Sequence, residues 1–247
     1  RILSSAASDV YKRQTFSNTV SFSTAGDNGN TRFSLTNLDN DDISPNSTLD
    51  RNSIGINTSQ NVGKNIRIDA NLKYLLEDQS GNPRLSDGPG NANWIINHTS
   101  PSVDVNWGKG PNGDGRNDDL SEYQMTPSIY IQNPWFAQNY YVNDSEKERF
   151  IGSINMRWDL TDWLYARARV GADRYDLHRT QSEPFGTGYK PKGGINHYKL
   201  AFKQFDSDFF LGTDNLSLTD DVALTAFVGV GSNVQEAESL SVNGNDL

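Results

Sequence analysis

Cysteine is absent from the 247 residues. That excludes a disulfide framework and thiolate metal sites, and it suits a bacterial envelope protein. Basic charge is scarce, with 22 Lys and Arg against 31 Asp and Glu, a formal net charge of −9 and a pI near 4.8. Phosphate binding needs clustered Lys and Arg, so this balance argues against a nucleic-acid partner. Long apolar runs are missing too: no stretch approaches the roughly 18 residues of a membrane-spanning helix. Only 34% of residues are hydrophobic and mean hydropathy is −0.69. Any crossing of a bilayer must therefore be made by strands.

What is present is alternation with period two, the mark of strands whose faces meet different surroundings. In Asn65–Leu76, Ile66, Ile68, Ala70, Leu72 and Tyr74 share one face, with Arg67, Asp69, Asn71 and Lys73 on the other. Arg149–Leu160 sets Phe150, Gly152, Ile154, Met156, Trp158 and Leu160 against Arg149, Ser153, Asn155, Arg157 and Asp159. Trp163–Asp173 opposes Leu164, Ala166, Ala168, Val170 and Ala172 to Tyr165, Arg167, Arg169 and Asp173. Val222, Leu224, Ala226, Val228 and Val230 repeat the apolar face near the C-terminal end. Several of these patterns persist for about 9 to 13 residues, the span of a tilted strand crossing a bilayer rather than of an ordinary soluble strand.

Connections alternate as well. Short turns are expected at Ala25–Asn30, Asn61–Lys64, Leu160–Asp162 and Leu218–Asp221, and long polar segments at Asp39–Asp50, Glu77–Glu146, Asp176–Gly194 and Asn233–Leu247. Tight turns at one end and extended loops at the other are the plan of an outer-membrane barrel. A structureless stretch of about 70 residues has no place in a compact soluble domain. The pattern therefore predicts an all-β fold, a partial antiparallel transmembrane β-barrel of about eight strands of a larger barrel. Arg67, Asp69, Asn71, Lys73, Asn155, Arg157, Arg167, Arg169 and Asp173 would face its interior. Residues 1–14 stand apart: Asp9–Gln14, "DVYKRQ", looks like a translated sequencing adapter, against the alternative of a polar N-terminal arm. Residues 15–247 form the expected barrel unit, with a long extracellular loop at 77–146.

Candidate chemistry is sparse. Pro111–Asp119, "PNGDGRNDD", offers Asn112, Asp114 and Asp118 as calcium ligands, but Arg116 stands where an EF-hand loop needs an oxygen and the terminal bidentate Glu is missing. A solvated turn is the simpler reading. His98, His178 and His197 have no metal-ligand spacing, and no GxSxG nucleophile context occurs. Adjacent acids such as Asp41 and Asp42 do not straddle a scissile bond. No cofactor, metal or enzymatic activity is expected. In 77–146, Trp94, Trp107, Tyr123, Trp135, Phe136, Tyr140 and Tyr141 are interleaved with Asn and Asp. Such a loop could stack on sugar rings or touch a partner, but the favoured reading is that a long ordered loop needs these aromatics for a core of its own.

The order of "TVSFSTAGDNGNTRFSLTNLDNDDISPNS", "RNSIGINTSQNV", "IRIDANLKYL", "NPWFAQN", "ERFIGSINMRWDLTDWLYARARVG" and "LTDDVALTAFVGVG" resembles the SusC/RagA-type TonB-linked outer-membrane transporters of Bacteroidetes. The resemblance extends over nearly everything from Thr15 onward and rests on many short cues together. It implies location in the bacterial outer membrane and uptake of oligosaccharides or peptides. It also implies a SusD-like surface lipoprotein as partner and the TonB complex as energy source. Such barrels have roughly 22 strands. No plug, TonB box, signal sequence or closing strand is recognised here, so a fragment that does not transport by itself is expected. A soluble all-β carbohydrate-binding module, such as a lectin-like sandwich or propeller, is the rival reading, and a non-transporting barrel such as an adhesin is a third.

Overall fold

In the computed structural model the described residues are 14–87, 90–219 and 222–245. Apart from Gln14, the segment set aside as an adapter lies outside them, as do Asp220 and Asp221 of the expected last turn. Eight strands form a single sheet in chain order: β1 (Thr15–Gly26), β2 (Gly29–Asp41), β3 (Thr48–Val62), β4 (Ile66–Ser80), β5 (Val142–Asp159), β6 (Leu164–Glu183), β7 (Gly194–Thr219) and β8 (Val222–Asn245). Every neighbouring pair is antiparallel. The sheet does not close, and β1 and β8 are its edges. Between β4 and β5 lie two short helices, α1 (Ala92–His98) and α2 (Pro134–Tyr140), and a 3₁₀ turn at Val105–Lys109.

Register turns the alternation into a continuous surface. Val20 pairs with Leu35, Leu35 with Ile54, Ile54 with Tyr74 and Tyr74 with Phe150. One row nearer the turns, Gly152, Ala172, Phe205 and Val234 align across β5 to β8, followed by Met156, Ala168, Phe209 and Val230 two rows on. All these apolar side chains stand on one face. That face is left uncovered: Ile154 is 49% exposed, Phe209 51% and Val230 69%. A soluble sandwich would bury this band beneath a second sheet. A one-residue slip of β6 would move Arg167 and Arg169 onto it, so the pattern fixes the register.

The strands are longer than the sequence pattern indicates. β4 runs to Ser80, β5 begins at Val142 and β6 continues to Glu183. The excursion between β4 and β5 is therefore 81–141 rather than 77–146, and the one between β6 and β7 is 184–193. The polar stretch from Asn233 to Asn245 belongs to β8, not to a loop. The physical reason is that both faces become polar beyond the apolar band, so alternation disappears while the backbone ladder continues. Side-chain pairs such as Arg51 with Glu77 span the strands there. At about 3.3 Å per residue, strands of 20 to 26 residues reach well past a hydrocarbon layer of about 30 Å. Short turns and longer connections do alternate along the sheet, although the one expected at Asp39–Asp50 shrinks to 42–47 because β2 and β3 both extend into it.

Candidate functional site

Two regions present polar chemistry: the face of the sheet opposite the apolar band, and the cap formed by 81–141 with 184–193. On the wall, all the residues expected to face the interior fall within four successive rows of β4, β5 and β6. Arg67, Arg157 and Arg167 form one row, Asp69, Asn155 and Arg169 the next. Asn71 lies opposite Ser153 in the third row, and Lys73 and Asp173 flank Ile151 in the fourth.

Arginines directly opposite one another repel, and this wall offsets the repulsion with staggered carboxylates and amides. Arg67 Nε donates to Asp69 Oδ1 at 3.2 Å and Arg167 Nε to Asn155 Oδ1 at 2.6 Å. Arg157 donates to Asp159 Oδ1 at 2.8 Å and also reaches Asp214, while its guanidinium lies 4.1 Å from the Tyr165 ring centroid. Arg149 grips Asp173, and Arg169 donates through Nε to Asp208 at 2.8 Å. The wall extends further than the sequence reading placed it, because Gln204, Asp206 and Asp208 of β7 and Asn233 of β8 continue the polar face. Their spacing of two was visible, but Phe202 and Phe210 on the same face masked it. Between Ser153, Arg169, Gly171, Asp206, Asp208 and Gly231 is an open hollow of about 520 Å³.

The cap has a core of its own. Ile95, Pro134, Phe136 and Ala137 are buried here, and none belongs to the sheet. Around them most polar groups are buried and hydrogen-bonded, the exceptions being the hydroxyls of Tyr141 and Tyr189 and the Nε atoms of Arg84 and Arg116. Asn133 caps α2, its Oδ1 accepting the Trp135 amide at 2.9 Å while its Nδ2 donates to the carbonyls of Gly108 and Tyr123. Pro134 follows at the first helical position, where a missing N–H costs nothing. Glu122, 2% exposed, accepts the backbone N–H of Asn133 and that of Gly188, the latter at 2.9 Å, so it ties 81–141 to 184–193. Burial pushes its carboxyl above the usual glutamate range, against the pull of those two amides. Gly115 adopts φ 91°, and a Cβ there would lie 2.3 Å from the Phe136 nitrogen, so only glycine fits.

The loop aromatics separate by role. Phe136 is sealed, Trp135 donates Nε1–H to the Val105 carbonyl at 2.9 Å beneath Lys109, and Tyr140 hydrogen-bonds Asp114 under the Arg116 guanidinium. Tyr141 lies against Arg84, its hydroxyl pushed up to about 12 by burial. Trp94 stacks on His98 at 4.1 Å, and Tyr123 meets Trp107 edge-on at 5.5 Å. Trp107, 54% exposed, and Tyr130, 67% exposed, turn large surfaces outward. Two of the three candidate calcium ligands are engaged within the loop. Asp114 is committed to Tyr140 and to the Arg116 amide, its carboxyl held below the usual range chiefly by the Tyr140 hydroxyl. Asn112 donates to the Arg116 carbonyl. Among the described residues no three acid or histidine side chains are grouped to hold an ion. Glu122, Gln132, Asn133 and Thr187 were missed by sequence reasoning. Asn133 alone had a signal, the Asn-Pro pair that opens a helix.

No family model matches this chain and no curated protein matches it. Among solved structures it is similar to the RagAB peptide importer in a closed-closed state, with TM-score 0.60 and 15% identity over 94% of this chain and 29% of that one. A second structure, of the RagAB peptide transporter, gives TM-score 0.58 and 17% identity over 95% of this chain and 26% of that one. The ferric-catecholate import receptor Fiu of E. coli K12 in its closed form gives 0.53 and 13% over 90% and 30%. The chain thus spans less than a third of each structure's length, and at these identities the likeness is one of fold: a segment of barrel wall.

Proposed function

We propose that this chain is part of the wall of an outer-membrane, TonB-dependent nutrient importer of the SusC/RagA type. The observation that carries the reading is the apolar band, in register across the sheet and uncovered, backed by a wet polar face with short turns at one end and long excursions at the other. Hydrocarbon on one side and water on the other is the environment in which such a wall is at low free energy. Residues 81–141 and 184–193 then form an external cap. A SusD-like surface lipoprotein is the proposed partner over it, the TonB complex the proposed energy source, and oligosaccharides or peptides the proposed solutes. The likeness to a peptide importer supports peptides, and the outward faces of Trp107 and Tyr130 would suit either solute.

The test is uptake by cells producing the full-length protein. Accumulation of labelled peptides or oligosaccharides should require both this protein and an intact TonB complex. Recovery of the protein in the soluble fraction without detergent would overturn the reading in favour of a soluble binding module. Membrane insertion with TonB-independent behaviour and no uptake would favour a non-transporting barrel such as an adhesin.

A further inference from the structure

The chain carries a net charge of −9, but its two sheet faces do not share that charge. Above the apolar band, Asp39, Asp50, Asp78 and Glu146 occupy a single row across β2 to β5, each directly opposite the next, on the same face as the band. Glu148 and Asp176 stand opposite each other in the adjoining row. Arg174 and Lys203 share that face, paired with Asp176 and Glu236, and the row of Asp39, Asp50, Asp78 and Glu146 is what displays acidity outward.

On the inner face nearly every carboxylate is engaged by a guanidinium. Asp69 is paired with Arg67, Glu77 with Arg51, Asp173 with Arg149, Asp208 with Arg169, and Asp159 and Asp214 with Arg157. Asp206 is held by the amides of Gln204 and Asn233. Several cations on that face have no carboxylate within ion-pair distance among the described residues. Arg32 donates only to the Ser21 hydroxyl, Arg167 to the Asn155 amide oxygen, Lys147 lies over the Tyr175 ring, and Lys73 and Arg179 reach no acid at all. A row of paired charges largely cancels beyond a few ångströms, whereas unpaired cations set the potential of a confined aqueous space.

We infer that the inner wall is electropositive despite the acidic chain, and that the solutes it favours are carboxylate-bearing: acidic peptides or uronate-containing oligosaccharides. This rests on the barrel reading above and names its substrate class. The wall attracts an anion by long-range potential and offers Arg32, Lys73 and Arg167 as hydrogen-bond donors once it arrives.

These 247 residues contribute no cysteine, and any cysteine elsewhere in the full-length protein is replaced by serine to give a clean background. Ser53→Cys, Asn57→Cys and Ser153→Cys, on the inner face, are made singly in the full-length protein and read in isolated outer membranes, beside Ser207→Cys on the apolar face. Reaction rates are compared for two membrane-impermeant methanethiosulfonates of similar size, one anionic and one cationic. The anionic-to-cationic ratio at the inner positions is expected about fivefold above that of a free thiol in solution. It should fall toward the free-thiol value in the Arg32→Gln, Lys73→Gln background, which breaks no ion pair. A ratio at or below that of the free thiol, or no reaction at any of the three positions, overturns the proposal. Equal reactivity of Ser207→Cys overturns the barrel reading instead. Protection of Asn57→Cys by a glutamate-rich hexapeptide or by an oligouronide, each against its neutral counterpart, separates the two carboxylate sources. No preference for the charged forms overturns the proposal as well.

Discussion

Phe136 in the cap is sealed from solvent, whereas Val170 in β6 is 41% exposed although Ile154 stands directly opposite it on its face. The cap obeys the rule of a water-soluble domain in miniature: a few apolar groups inside, most buried polar groups hydrogen-bonded, and aromatics such as Phe136 and Trp135 spent on packing. The wall inverts it. Its apolar band points away from every other part of the chain, and Arg67, Asp69, Arg157, Arg169 and Asp208 meet their partners on the opposite face. A single polypeptide with both arrangements needs two solvents. The border between them is where alternation stops and both strand faces become polar.

The strongest way to break this comparison is to hollow the cap. Phe136→Ala removes the side chain that Gly115 and Tyr140 enclose, and a fully buried Phe→Ala change costs about 3–5 kcal/mol. The cost should be confined to the cap. Amide hydrogen exchange is expected to speed up across 115–141 and 184–193 while the ladder of β4 to β7 keeps its protection. Loss of protection in the strands would mean that wall and cap form one core after all.

A smaller effect sharpens the other half. Ala168→Arg or Val170→Arg places a cation on the apolar band and is expected to cost about 2–4 kcal/mol near the bilayer midplane. Asn71→Arg, on the polar face among Asn57 and Ser153, is expected to stay within about 0.5 kcal/mol. Folded and unfolded fractions in urea with lipid vesicles measure both. Equal tolerance on the two faces would remove the case for hydrocarbon against Val170.

How much of this was legible follows from the same division. Where one face meets lipid and the other water, sequence alternates, and Ile66 to Tyr74 or Ala166 to Ala172 can be assigned to a face by inspection. Above the band that contrast is gone, so Glu77, Glu146 and the segment after Asn233 read as loop although the ladder continues through them. The cap was legible only as aromatic-rich. Its organisation depends on contacts distant in sequence, such as Glu122 with Gly188, and no local periodicity announces a carboxylate that is to be buried. Asn133 was the exception because capping is local.

The smallest predicted effect concerns that carboxylate. Burial raises the Glu122 carboxyl above its ordinary value, so the folded cap holds the proton more tightly than the opened one. The stabilisation this gives is fully present below the ordinary glutamate value and is lost as pH rises through the raised one. Opening of the cap, measured by exchange at the amides of Asn133 and Gly188 after correction for intrinsic rates, should become easier over that interval. Glu122→Gln removes the titrating proton, although its amide can accept only one of the two backbone N–H bonds well. The variant should therefore open more readily at low pH and lose the wild-type pH dependence. The strands should show no matching change across the interval, because Glu122 lies in the cap and bonds there to Asn133 and Gly188. A pH dependence shared equally by β4 to β7 would show that the cap's proton is coupled to the wall.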